Sequence, residues 1–238
     1  SCTVNKPKQL IFPFQINQKA SFDSFFCSPD NQNLMTRLTD IVISRDANEL
    51  IIHGEEGSGK SFLMQAICNE LSSAEKQFAF IPMKKAFNMG VEIFQNLGSL
   101  DAVGIDVVQL IFKTQDWETA LFNLINECQQ SNCSLMLSLG GTQPLEESVV
   151  LPDLLSRIKR MEFVALNAVK DESFNQAIDF VAQQLDISIE KAELEFLLKH
   201  QIRKFSLLVE NIIALDKQAA SLKRKITIPL IKETLNIE

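Results

Sequence analysis

The sequence predicts an α/β fold in which a parallel sheet is followed by a small C-terminal bundle of helices. Three features of the 238 residues support this prediction. Short apolar stretches alternate with helical stretches from Glu49 onward, a glycine-rich loop joins the first of these strands to a helix, and only helical patterns follow residue 168. Strands that alternate with helices are typical of parallel sheets, because the helix carries the chain back to the edge where the next strand begins.

Five apolar stretches have the length and composition of buried strands. They are "ELIIHG" at 49–54, "FAFIPM" at 78–83, "LDAVGIDVV" at 100–108, "CSLMLSLG" at 133–140 and "EFVALN" at 162–167. Between them, apolar residues at helical spacing predict helices over 61–73 and 116–130. The order of these elements predicts a mostly parallel sheet.

The pattern changes after residue 168, where helical stretches follow one another without strands. The predicted helices cover 170–185, 188–201, 203–221 and 227–236. Thr227 is a residue type that caps a helix start, and Pro229 fits the first turn of the same helix. We therefore expect an N-terminal tail (1–20), a nucleotide-binding base domain (21–168) and a helical lid domain (169–238).

The composition limits the possible functions. With 46% hydrophobic and 22% charged residues, the chain is able to bury a large core. The 23 Lys and Arg against 30 Asp and Glu give a net charge of −7, which disfavours a broad surface for nucleic acid. We expect a protein partner and no strong direct DNA binding.

The sequence also indicates the compartment. No apolar run reaches the roughly 18 to 20 residues that a membrane helix needs, and the N-terminus has no signal pattern. The five cysteines lack the paired spacing of a zinc site. We expect a cytoplasmic protein with reduced thiols and no membrane contact.

The motif "GEEGSGKS" (Gly54–Ser61, hereafter the phosphate loop) follows a predicted strand and precedes a predicted helix, as a phosphate-binding loop requires. Its backbone N–H groups are expected to surround phosphates, Lys60 to reach the β- and γ-phosphates, and Ser61 to bind Mg²⁺. The residues predicted to contact nucleotide here are Gly54, Gly57, Ser58, Gly59, Lys60 and Ser61. The alternative is a glycine turn that only caps a helix.

Asp106 ends an apolar strand at the distance along the chain expected for the acid that orients Mg²⁺. A solvated aspartate at a strand end is the alternative interpretation, which the phosphate loop disfavours. The next residue is Val107, whose side chain is unable to polarise a water molecule. We therefore predict that the isolated chain hydrolyses nucleotide slowly.

Beside these motifs, three further stretches resemble the AAA+ family, and within it the DnaA/Hda branch of bacterial replication proteins. "SFDSFF" begins a segment (21–34, the lead-in) similar to the one that lies against adenine in this branch. "LPDLLSRI" (151–158) resembles the box that ends in an arginine finger, which assigns that role to Arg157. "KRKITIPLIKETL" (223–235) is similar to the end of the lid. An ordinary basic helix end is the alternative for Arg157.

The resemblance extends to the N-terminus. "QLIFPF" (9–14) is similar to the hexapeptide with which members of this branch dock on the DNA polymerase sliding clamp. The implied contacts are a polar anchor at Gln9, apolar groups at Leu10, Phe12 and Phe14, and a backbone stiffened by Pro13. An ordinary first strand would have a similar composition.

The sequence departs from this branch at residues that sense the γ-phosphate. The sensor position after the fourth strand falls near Gly140, with Ser138 as the nearest polar residue. The lid arginine position falls on Ser206, and Arg203 is its possible substitute. These departures favour a structural nucleotide, ADP or ATP with Mg²⁺ and ADP preferred, over an efficiently hydrolysed one.

The resemblance implies a negative regulator of replication initiation that docks on the sliding clamp at the replisome. Its arginine finger, Arg157, would promote hydrolysis of ATP bound to DnaA, while its own ATPase activity would be weak or absent. The sequence leaves homo-oligomerisation open. The main alternative is an autonomous P-loop ATPase, such as a helicase loader or a remodelling motor. A DNA-binding initiator fragment is disfavoured, because DnaA continues past the lid into a helix-turn-helix domain and this sequence stops at Glu238.

Overall fold

The computed structural model describes residues 14–200 and 204–238, and within these ranges five parallel strands form one sheet in the order β2-β3-β4-β1-β5. The strands are β1 (Glu49–His53), β2 (Phe78–Pro82), β3 (Ala102–Asp106), β4 (Ser134–Leu139) and β5 (Glu162–Ala165). All five predicted strands are confirmed, with shorter ends. The central strand β1 pairs with β4 and β5, so that Ile51 lies between Leu137 and Phe163.

Helices cover both faces of the sheet, which explains why its inner strands are mostly apolar on both faces. The helices of this part are α1 (Gln32–Ile43), α2 (Lys60–Ser73), α3 (Met83–Ala86), α4 (Gln115–Ser131), α5 (Leu145–Ser148) and α6 (Pro152–Arg160). Alternate residues of β1 enter different cores, because successive side chains of a strand point to opposite faces. Leu50 and Ile52 pack with α1 and α2, whereas Ile51 packs with α4 and α6.

The C-terminal helices form a lid with a core of its own. They are α7 (Phe174–Gln184), α8 (Lys191–His200), α9 (Phe205–Ser221) and α10 (Ile228–Leu235). The predicted cap at Thr227 is confirmed, because its hydroxyl accepts a hydrogen bond from the Leu230 backbone N–H at 3.4 Å. Phe26 and Phe62 from the sheet part pack against this lid core, so the lid lies directly over the lead-in and α2.

The chain before α1 is anchored to both parts. The Asn17 backbone N–H donates to the Gln65 side chain at 2.8 Å, and the Asn69 amide donates to the Asn17 carbonyl at 2.8 Å. Lys19 forms a salt bridge of 3.1 Å with Asp216 of the lid. Residues 14–20 therefore connect α2 to α9.

Five short 3₁₀ turns complete the described part of the chain. Single 3₁₀ turns cover Pro29–Asn31, Phe87–Met89, Val91–Phe94, Val108–Ile111 and, at the start of the lid, Asp171–Ser173. The turn at 108–111 follows β3 directly and brings its side chains to the carboxyl end of the sheet. No helix among residues 14–200 and 204–238 has the length and apolar character needed to cross a membrane.

Candidate nucleotide-binding site

The phosphate loop leaves β1 at its carboxyl end and enters α2 at Lys60. Gly57 and Gly59 have φ values of +84° and +99°, a region in which a side chain would be strained. Gly54 is required for a different reason, since a Cβ there would lie 2.5 Å from the Leu166 carbonyl oxygen. The glycines thus shape a tight loop in which Gly59 is the N-cap of α2, and anions are favoured at such a helix start.

The Lys60 side chain folds over the phosphate loop. Its ammonium group donates to the carbonyl oxygens of Gly54 and Glu55, each at 2.7 Å. Partial burial lowers the pKa of Lys60, and the nearby carboxylates of Asp106 and Glu56 oppose this shift. A partly desolvated cation held by loop carbonyls is well placed to exchange them for phosphate oxygens.

Asp106 lies buried at the carboxyl end of β3, and its orientation is fixed by Ser138 of β4. The Ser138 hydroxyl donates a short hydrogen bond to the Asp106 carboxylate and accepts one from the Val107 N–H at 2.8 Å. Val107 adopts a left-handed conformation, with φ of 60° and ψ of 51°, which is rare for a β-branched residue. Ser138 therefore acts on the carboxylate and does not itself project into the cleft, since it is fully buried.

A cleft with about 460 Å³ of space, part of it open to solvent, lies between the phosphate loop, the lead-in and the lid. Its lining is mostly apolar and aromatic, which suits a flat heterocyclic base beside a phosphate site. Phe25 and Phe62 have ring centroids 6.4 Å apart, and Phe25 lies 3.6 Å from where a Cβ on Gly59 would be. The lining residues are Ser24, Phe25, Phe26, Asn31, Ser58, Gly59, Phe62, Asn167, Val169, Val181, Phe205, Ser206, Val209 and Glu210.

A pair of asparagines holds the lead-in against the segment that connects β5 to the lid. The buried Asn31 amide donates to the Asn167 carbonyl at 2.9 Å, and the Asn167 N–H donates to the Asn31 side-chain oxygen at 2.9 Å. Because both residues line the cleft, this reciprocal pair sets the width of the cleft where the lid begins.

The start of α9 touches the phosphate loop directly. The Ser206 N–H faces the Gly57 carbonyl at 3.4 Å, and the Lys204 side chain covers Gly57, so that a Cβ there would lie 2.9 Å from it. The Lys204 ammonium group also pairs with Glu56 at 3.6 Å. The possible substitute cation Arg203 lies outside the described residues, whereas sequence reasoning missed Lys204, which is the adjacent lysine.

One acidic group of the lid enters the cleft. Glu210 lies one helical turn after Ser206 and lines the cleft. Although much of the residue is exposed, partial burial raises the pKa of the Glu210 carboxyl, Lys84 opposes this shift and Asp106 adds to it. Ser206 and Glu210 thus bring a hydroxyl and a carboxylate to the cleft, where cations would bind the negative charge of a phosphate better.

Arg157 lies away from this cleft, in the last turn of α6 on the opposite face of the sheet. It is half-buried, its guanidinium lies 5.9 Å from the centre of the Phe122 ring, and it makes no salt bridge within residues 14–200 and 204–238. The start of α6 is held by Glu118, a fully buried carboxylate that accepts from the N–H groups of Val150 at 3.0 Å and Leu151 at 2.7 Å. Arg157 is consequently a cation on a firmly anchored helix, and no residue in the described part of the chain forms a salt bridge with it.

The structure describes only the end of the predicted clamp motif. Phe14 is half-buried and packs against the core that contains α4 and α6. The other predicted contacts, Gln9, Leu10, Phe12 and Pro13, lie outside the described residues.

Comparisons with known proteins support the same fold. Residues 16–160 match the bacterial DnaA ATPase domain, and residues 171–235 match the Hda lid domain. Domain III of the Thermotoga maritima replication initiation protein DnaA is 20% identical with a TM-score of 0.70, and the alignment covers 94% of this chain and 98% of that one.

Two other solved structures show how far the likeness extends. AMPPCP-bound DnaA from Aquifex aeolicus is 20% identical, with a TM-score of 0.65 over 85% of this chain and 65% of that one. The Thermotoga maritima RuvB Holliday junction branch migration motor is 18% identical, with a TM-score of 0.55 over 92% of this chain and 72% of that one. At such identities the structural likeness concerns the fold alone, whereas the sequence match at 16–160 covers more than half of the chain.

Proposed function

The chain belongs to the DnaA/Hda-type AAA+ proteins, and from this membership we propose that it binds an adenine nucleotide structurally and promotes hydrolysis of ATP bound to DnaA. One observation carries the proposal: Arg157, the candidate catalytic cation, lies on the sheet face opposite its own cleft. From that face its guanidinium would be directed at a nucleotide on another molecule and not at its own.

The cleft is suited to a purine nucleotide. The phosphate loop supplies N–H groups and Lys60, and the aromatic residues of the lead-in and lid supply an apolar pocket for the base. A DnaA relative is described with AMPPCP bound, which is consistent with adenine as the base. On this proposal the base domain (21–168) and the lid (169–238) hold the nucleotide between them.

Magnesium would enter with the nucleotide. Among residues 14–200 and 204–238, no cluster of three His, Cys, Asp or Glu side chains is able to hold a metal ion by itself. The Ser61 hydroxyl and the buried Asp106 carboxylate are hard oxygen donors of the kind Mg²⁺ prefers, and phosphates would complete the coordination. The ion would neutralise phosphate charge.

The same cleft is poorly equipped for hydrolysis. Val107 and Gly140 offer no acidic or polar side chain beside Asp106. Ser206 and Glu210 of the lid line the cleft with a hydroxyl and a carboxylate, neither of which is a cation. Hydrolysis needs groups that orient water and stabilise charge on the transferred phosphoryl group. We therefore propose that the bound nucleotide, ADP in preference to ATP, fixes the position of the lid.

Arg157 would act across an interface with DnaA. An arginine finger stabilises the charge of the phosphoryl transition state and increases the rate by about 10³- to 10⁵-fold. The Glu118 contacts keep the start of α6 rigid, so that the finger would enter the partner's active site with little loss of conformational freedom.

By docking on the sliding clamp, the segment 9–14 would restrict the stimulation of ATP hydrolysis to places where the clamp is loaded on DNA. An extended peptide with apolar anchors binds a groove with little ordering cost when proline stiffens it. Because Phe14 packs against the core, docking that uses its ring requires Phe14 to leave this contact. Replacement of Gln9 and Leu10 by alanine is expected to abolish clamp binding, and unchanged clamp affinity would contradict the motif.

Steady-state hydrolysis by the isolated chain tests the proposal against the autonomous ATPase, which the intact phosphate loop and Asp106 support. The proposal predicts a turnover far below about 1 s⁻¹, the low end for ordinary enzymes. Turnover at or above that value without DnaA would favour a helicase loader or motor.

A further inference from the structure

The structure places an amide where a side chain of residue 140 would be. Gly140 follows β4, and its backbone N–H donates to the Gln109 side-chain oxygen at 3.1 Å. A Cβ built on Gly140 would lie 2.8 Å from Gln109 Nε2, closer than such contacts allow. The carboxamide of Gln109 therefore occupies the space that a side chain at 140 would use.

This space adjoins the phosphate-binding lysine. The same Cβ position on Gly140 lies 3.7 Å from Lys60 Cε, so the carboxamide and the end of the lysine side chain both border the space beside Gly140. Gln109 lies in the 3₁₀ turn after β3, three residues beyond Asp106. It is thus held at the carboxyl end of the sheet, between the acid of β3 and the loop after β4.

The hydrogen bond to Gly140 also orients the amide. Since the Gly140 backbone N–H is a donor, it must face the oxygen of the carboxamide, which leaves the NH₂ group beside the position of a Gly140 side chain and not opposite the N–H. Within residues 14–200 and 204–238, this NH₂ group donates to no protein acceptor. Two oriented donors consequently lie beside Lys60 without a partner in the described part of the chain.

We propose that Gln109 binds the third phosphate of a nucleoside triphosphate and so distinguishes ATP from ADP at this site. The inference rests on the proposed nucleotide binding by the phosphate loop. In a bound nucleotide the α- and β-phosphates would lie within the loop N–H groups, so a donor at the ends of β3 and β4 would meet a phosphate beyond them. Gln109 then supplies from a different element the polar contact that Gly140 lacks.

The first test compares two nucleotides on one variant. Gln109→Ala should weaken binding of AMPPCP by about ten- to a hundredfold, the effect of one hydrogen bond to a charged group, and should change ADP affinity less than twofold. The matched control is Gln95→Ala, an exposed glutamine in the sheet part, which should change neither affinity. Calorimetry with Mg²⁺ measures both, and thermal unfolding reports whether each variant is folded.

A second set of variants tests the shared space. Gly140→Ala should displace the amide, because the nearest atom is the end of a flexible side chain, and should reproduce the selective loss of AMPPCP while the protein stays folded. Gln109→Ala combined with Gly140→Asn should restore part of the loss, since the vacated space accepts the new carboxamide.

The outcomes separate this inference from the proposed function. Loss of AMPPCP binding alone, with partial rescue, supports the assignment. Equal losses for AMPPCP and ADP, or no loss for either, would overturn it while leaving the nucleotide site intact. A wild-type chain that binds neither nucleotide would overturn the nucleotide site and this inference together.

Discussion

The nucleotide cleft and the Arg157 helix differ in their position on the sheet and in the partners of their charged groups. The cleft is enclosed by the phosphate loop, the lead-in and the lid, and it contains the Asp106 carboxylate that Ser138 fixes. The Arg157 helix lies on the other face of the sheet, and its guanidinium has an aromatic neighbour in Phe122 and no ionic partner in the described part of the chain. The cleft is shaped to hold a nucleotide, whereas the Arg157 helix carries a cation that lies outside any nucleotide site described in this chain.

On the proposed function, this difference would let the chain hydrolyse its own nucleotide slowly and still promote hydrolysis on a partner. Nucleotide binding requires hydrogen-bond donors for the phosphates and an apolar pocket for the base, and the cleft has both. Rapid hydrolysis also requires groups that act only in the transition state, and an arginine finger from outside is the largest of these. On the proposed function, the two requirements would be divided between two regions of this chain, and the Arg157 helix would act on a nucleotide bound to a partner.

Removal of the finger is the change with the largest expected effect. Arg157→Ala should reduce the stimulated hydrolysis of DnaA-bound ATP by about 10³-fold or more, because charge on the phosphoryl group loses its cation. A single-turnover assay with preloaded DnaA measures it. Arg160→Ala, an exposed arginine on the same helix, is the matched control and should retain stimulation. If Arg157→Ala retains it as well, Arg157 is an ordinary basic residue at a helix end.

Removal of the loop lysine breaks the other region. Lys60→Ala should weaken ADP binding by about a hundredfold, since a charge-assisted contact to phosphate is lost. Calorimetry measures the affinity, and Lys85→Ala on α3 provides an exposed lysine for comparison. Unchanged ADP affinity in Lys60→Ala would mean that the loop only caps α2.

Glu118 holds the start of α6, the helix that carries Arg157, through hydrogen bonds to backbone N–H groups. Glu118→Gln removes one charged oxygen from a buried group that binds the N–H groups of Lys113, Val150 and Leu151. The free energy of unfolding should fall by about 1 to 3 kcal/mol, as expected when buried donors lose an acceptor. Urea unfolding measures the change, with exposed Glu147→Gln as control. A loss below the error of the control would show that water replaces the contact.

Glu210 offers the smallest and most specific adjustment of the cleft. Its raised pKa means that the protonated carboxyl stabilises the folded protein below about pH 4.5, and that this stability is lost as pH rises through the folded pKa. At neutral pH the charged group should repel phosphate. Glu210→Gln should therefore raise AMPPCP affinity at pH 7 by about two- to fivefold. It should also remove the part of the pH dependence of stability that Glu210 contributes. Weaker binding in this variant would indicate that the carboxylate contacts the nucleotide as an acceptor.

The sequence was sufficient for features that depend on neighbouring residues. The five strands follow from local apolar runs, and the phosphate loop follows from glycine and lysine spacing together with its flanking elements. The fold it predicted, an α/β P-loop AAA+ sheet with a C-terminal lid, is confirmed.

Features made by distant residues were missed. Gln109 meets Gly140 from 31 positions away, and Asn31 meets Asn167 from 136 positions away. Neither pair has a sequence pattern, because the sheet order brings β3 beside β4 and the lid connection beside the lead-in only after folding. Lys204 was missed for a related reason. Nothing in the sequence distinguishes it from a solvent-exposed lysine, and its contact with Gly57 arises only when the start of α9 packs against the phosphate loop.

The most direct test of the account is hydrolysis of ATP bound to DnaA, measured with this protein added and with sliding clamp on DNA present or absent. The account predicts fast hydrolysis only when both the protein and the loaded clamp are present, and none of this increase with Arg157→Ala. Hydrolysis that stays at the basal rate of DnaA, although the protein binds the clamp, would contradict the assignment of Arg157 as a finger that acts on DnaA.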